Sequence, residues 1–92
     1  MEVYEEFKNE IDKTIDTSDI VKFKLQTTGV TYEFYQYVIE ISEEDNMCVL
    51  SFDDDSTLAL DCGALSFKET DTYGKKGYLM EGSDIVIEVT IM

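Results

Sequence analysis

Apolar residues recur every four positions at the start of the chain and every second position afterwards. Val3, Phe7, Ile11 and Ile15, with Tyr4 beside them, form one stripe of a helix expected over residues 1–18, and Glu2, Glu6, Asn9, Lys13 and Asp16 lie opposite. Carboxylates in the first turn suit the helix dipole, whereas Asp16 near the end opposes it. Thr17, Ser18 and Asp19 break the pattern.

From Ile20 the period becomes two, the signature of half-buried strands. Val21, Phe23 and Leu25 alternate with Lys22, Lys24 and Gln26, and after a turn at Thr27-Thr28-Gly29 the alternation resumes at Val30, Tyr32 and Phe34. Matching the apolar faces pairs Leu25 with Val30, Phe23 with Tyr32 and Val21 with Phe34. The phase then slips. Tyr35, Tyr37, Ile39 and Ile41 run one residue out of step, which requires either a β-bulge near Phe34 and Tyr35 or a strand covered on both faces. In the next hairpin the same matching sets Phe52 against Leu58, Leu50 against Leu60 and therefore Cys48 against Cys62.

Leu65 and Phe67 mark a short strand, and Tyr73-Gly74-Lys75-Lys76-Gly77-Tyr78 reads as a hairpin tip. Ile85, Ile87, Val89 and Ile91 point inward from a last strand apolar enough to be central. The expected fold class is α+β: one domain over residues 1–92, its N-terminal helix packed on a mostly antiparallel sheet of about five to six strands over residues 20–92.

Charge changes this picture more than size does. Asp and Glu number 21 against 7 basic residues, all lysine, for a net charge of −14. So small a body repels itself, and added salt should stabilise it. Direct binding to nucleic acid or to an anionic membrane is disfavoured and a basic protein partner favoured. The chain has neither His nor Arg, which removes the usual neutral-pH base and the bidentate clamp for phosphate, so an enzyme is not expected. The N-terminus lacks the basic and apolar regions of a signal peptide, which favours a cytoplasmic location with reduced cysteines.

Specific chemical motifs are weak. Asp53-Asp54-Asp55-Ser56 lacks the alternating ligands, glycine and closing Glu of a calcium loop. Cys48 and Cys62 have no redox spacing and too few companions for zinc, so no metal or cofactor is expected. Gly74-Lys75-Lys76-Gly77 lacks the remainder of a phosphate loop. More informative are the acidic groups Glu40, Glu43, Glu44 and Asp45 at one turn and Asp53, Asp54 and Asp55 at the next, with Tyr35 and Tyr37 nearby. Alternate residues of a strand lie about 6.6 Å apart, a spacing resembling that of successive backbone phosphates. Polar hairpin turns also simply collect Asp and Glu.

Small size, these clusters and the missing Arg and His give the chain a composition that resembles the small acidic inhibitors of phages and mobile elements, anti-CRISPR proteins and other DNA mimics among them. That likeness implies a non-enzymatic inhibitor in the groove of a basic nucleic-acid-binding protein, such as a CRISPR effector nuclease. It identifies no family and carries no residue roles. The competing expectation is a toxin-immunity or structural interaction module without mimicry.

Overall fold

The computed structural model describes residues 2–92. Helix α1 (Glu2–Thr17) precedes eight strands: β1 (Val21–Thr27), β2 (Val30–Gln36), β3 (Val38–Glu44), β4 (Met47–Phe52), β5 (Thr57–Asp61), β6 (Ser66–Thr72), β7 (Lys75–Glu81) and β8 (Ile85–Ile91). They form a five-stranded sheet in the order β2-β1-β8-β7-β6 and a three-stranded sheet in the order β3-β4-β5, with every pairing antiparallel. The α+β class holds, with the strands divided between two sheets. The apolar last strand is indeed central, flanked by β1 and β7.

Both sheets and the helix close on one core. Phe23 of the larger sheet stacks on Phe34 at 5.0 Å between ring centres and meets Phe52 of the smaller sheet edge-on at 5.3 Å. The stripe on α1 does what its spacing requires: Phe7 and Ile11 are fully buried, and Val3, Tyr4 and Ile15 pack around them. Phe7 sits between Phe67 and Tyr78, at 5.8 and 5.4 Å. The helix ends on Ser18 in a left-handed conformation, and the Asp19 N–H donates back to the Thr14 carbonyl, the closure of a Schellman motif.

Hairpin registers differ from the hydrophobic matching by two residues. Thr28 and Gly29 alone make the first turn, Gly29 at φ 79°, so Thr27 faces Val30, Leu25 faces Tyr32 and Phe23 faces Phe34. In the second hairpin Asp53 to Asp55 form a three-residue loop with Asp55 at φ 71°, so Leu50 faces Leu58 and Cys48 faces Leu60, not Cys62. A two-residue shift leaves each side chain on its original face, so alternation cannot distinguish these registers; the turn geometry chooses. Both cysteines are free thiols.

The third hairpin also tightens. Tyr73 and Gly74 make the turn, both with positive φ, so Gly77 and Tyr78 lie inside β7. Gly77 is required there: a Cβ would stand 2.7 Å from Thr70 Oγ1 and 3.0 Å from the Val89 carbonyl oxygen. Tyr78 is a core residue, its hydroxyl donating to Glu6 at 3.3 Å, rather than part of an exposed tip.

The slip in phase after Phe34 proves to be a change of sheet. The chain leaves the larger sheet at Gln36, turns at Tyr37 and enters the smaller one at Val38, with an irregularity between Val38 and Glu40. That places Val38 in the core and leaves Ile39 outside at 53 % exposure. Val30 and Tyr32, matched inward by the alternation, are exposed because β2 is an edge strand that overhangs the core. No helix among the described residues is long and apolar enough to cross a membrane.

Candidate interaction site at the acidic end

Negative charge is unevenly distributed over this frame. Strand register turns Lys22, Lys24, Lys68 and Lys75 to the outer face of the larger sheet together with only Glu33, Glu81 and Glu88. Four of the 7 lysines and three of the 21 carboxylates occupy that face, leaving eighteen carboxylates against three lysines elsewhere in the chain. One face is therefore almost neutral, and the remainder carries the excess.

The acidic residues and tyrosines singled out in the sequence separate into four settings. Tyr37, Glu40, Asp53, Asp54 and Asp55 gather at one end of the smaller sheet, where Val38 faces Phe52 and the Asp53 N–H donates to the Tyr37 carbonyl at 3.2 Å. Glu44 and Asp45 belong to the opposite end of β4, which a six-residue strand places about 17–20 Å away. Tyr35 stands on the outer face of the larger sheet, opposite Lys22. Glu40 and Glu44 share the outward face of β3 but have Ser42 between them, so this strand carries no continuous ladder of carboxylates at the 6.6 Å step.

Two of these carboxylates are engaged in holding the fold. Asp54 accepts from the Ser56 backbone and hydroxyl and, at 2.8 Å, from Gln36 Nε2, bonds that stabilise its ionised form and hold its pKa below the usual range. Glu43, on the free edge of β3, turns toward the helix. Lys8 Nζ donates to it at 2.7 Å and the Tyr4 hydroxyl also donates, and both bonds depress its pKa, the Lys8 bond most. A charged side chain on an open strand edge also discourages pairing with another chain. Because the folded pKa is lowered, the contribution of Glu43 is present above the unfolded glutamate value and lost as pH falls through the folded one. Glu43→Gln should lower the urea midpoint at about pH 7, and the gap to the parent should narrow as the pH falls below the ordinary glutamate range. A gap constant with pH would contradict the assignment.

Sequence reading missed the contribution of the helix. Ile15, Ser18, Tyr37, Val38, Ile39 and Asp53 line a groove of about 450 Å³ between the end of α1 and the β2–β3 corner. Asp12 and Asp16 lie on one side of the helix and Asp19 just beyond its end, and the last turn contains no basic residue. Asp16 stands one turn beyond Asp12 as a like charge, at the negative end of the dipole. The signal was present in the misplaced Asp16, but the meeting of Ile15 and Ser18 with Tyr37 and Asp53 depends on tertiary structure.

The buried thiol of Cys48 is unsuited to nucleophilic work. Burial, with the neighbouring Cys62, pushes the Cys48 pKa up to about 11, so it stays protonated near neutrality. Tyr4 and Tyr78 are likewise raised, chiefly by burial, with acceptor carboxylates adding to the effect. No group of three or more Cys, Asp or Glu side chains among the described residues is arranged to hold a metal ion. The sequence matches no family model and no curated protein, and no solved structure matches the chain.

Proposed function

We propose that this chain is a non-enzymatic acidic inhibitor that binds a basic nucleic-acid-binding protein and occupies its DNA or RNA groove, a CRISPR effector nuclease being the class of target expected. The observation that carries the reading is the segregation of charge: an almost neutral outer face on the larger sheet, and eighteen carboxylates against three lysines over the rest. Charge retained only for solubility has no reason to spare one face, whereas a protein that presents its other surfaces to a cationic groove does. Asp12 and Asp16 add to the argument because their placement costs the helix stability, the local inconsistency expected where function takes precedence. On this reading the protein acts in the cytoplasm, alongside its target.

Immobilised protein exposed to host lysate should capture a basic nucleic-acid-binding protein that elutes with salt, and short duplex DNA or guide RNA should displace it. A complex that forms equally well on nucleic-acid-saturated target would overturn groove occupation and favour an immunity-type contact without mimicry.

A further inference from the structure

We infer that the groove between the end of α1 and the β2–β3 corner receives a single arginine side chain of the basic partner. This inference rests on the proposed function and specifies how its surface is read. The groove joins two properties that scattered carboxylates lack. Its walls are apolar and aromatic: Ile15, Val38 and Ile39, with the ring of Tyr37. Its lining carries the carboxylate of Asp53 and no lysine, and Asp16 and Asp19 follow the lining residues Ile15 and Ser18 in the chain.

Apolar walls suit the methylene stem of a long basic side chain, which packs along such surfaces while its charged head remains at a polar rim. Arginine fits this rim better than lysine. Guanidinium is planar and weakly hydrated, stacks on a tyrosine ring, and offers five donors to the carboxylate and to the carbonyls that a helix C-terminus leaves without intrahelical partners. The irregularity at Val38–Glu40 holds Ile39 out of the core at 53 % exposure, and bulges commonly re-aim a side chain beside a functional site. At about 450 Å³ the groove falls within the size of small-ligand sites, about 300–1,000 Å³.

A second concavity of similar size, about 430 Å³ between β5 and the β7–β8 turn, supplies an internal control. It is lined by Leu60, Leu65, Ile85 and Ile87 with Asp61 and Asp84, but it has no aromatic ring and no helix end.

The test is an amide chemical-shift titration with N-acetylargininamide, with N-acetylcitrullinamide as the neutral isostere and N-acetyllysinamide as the alternative cation. Saturable shifts are expected at Ile15, Ser18, Tyr37, Ile39 and Asp53, absent with the citrulline compound and weaker with the lysine compound. Ile39→Ser leaves the charge unchanged and should weaken the response about tenfold; a parallel melt confirms that this exposed position leaves the fold intact. Shifts spread evenly over Glu44, Asp45, Asp61 and Asp84, equal binding of the lysine compound, or an unaffected Ile39→Ser variant would each overturn the groove assignment. The function and the groove fail separately. Salt-sensitive capture of a nucleic-acid-binding protein without an arginine response retains the first and removes the second, and an arginine response without such capture does the reverse.

Discussion

Phe7→Ala is expected to destabilise the domain by about 3–5 kcal/mol, the cost of emptying a fully buried aromatic site. The effect should lie near the top of that range because Phe7 anchors a helix that is weak by itself. A 16-residue helix is marginal in water by itself, and this one carries carboxylates at its negative end. Beside the bonds of Tyr4 and Lys8 to Glu43, its fully buried anchors are Phe7 and Ile11, and Phe7 packs between Phe67 of β6 and Tyr78 of β7. Small domains have about 5–15 kcal/mol in total, so the variant should lose a large part of its stability. Urea unfolding followed by circular dichroism would read this as a much lower midpoint at similar slope. A loss of less than about 1 kcal/mol would mean that the helix is dispensable to the core.

Asp16→Lys should change stability and function in opposite directions. A cation at this position complements the dipole, about 0.3–1 kcal/mol, and replaces the like-charge pair with Asp12 by an attractive one, about 0.2–0.5 kcal/mol. Together they should raise the melting temperature by several degrees, at roughly 4–8 °C per kcal/mol for a domain of this size. The same substitution removes negative charge from the acidic end. Combined with Asp53→Lys it should weaken capture of the basic partner by about 100-fold, roughly tenfold for each 1.4 kcal/mol lost, and flatten its salt dependence. Asp53 suits this test better than Asp54 because Asp54 also holds its own loop through Ser56 and Gln36. A variant that is more stable and binds as well as the parent would remove the acidic end from the function.

The candidate site was legible only in part. Clustered carboxylates were apparent along the chain, but the hairpins sent Glu44 and Asp45 to one end of β4 and Asp53 to Asp55 to the other. Glu43, indistinguishable from its neighbours in sequence, proved to be a tie between β3 and α1 because the free edge of β3 runs beside Lys8 and Tyr4. Cys48 and Cys62 missed each other by the same two-residue ambiguity that displaced every pair in that hairpin.

Periodicity by itself determined the helix, the faces of β1, β4, β5 and β8, the central place of β8 and the α+β class, because burial imposes a period of 3.6 on a helix and two on a strand wherever the core lies. Composition determined the excess of negative charge. Tertiary structure alone decided that β2 and β3 belong to different sheets, that the lysines collect on one outer face, and that the end of the helix meets Tyr37, Ile39 and Asp53 around a groove. Those outcomes depend on which turn closes each hairpin and where a strand changes sheet, and both can vary without altering the alternation of apolar and polar residues.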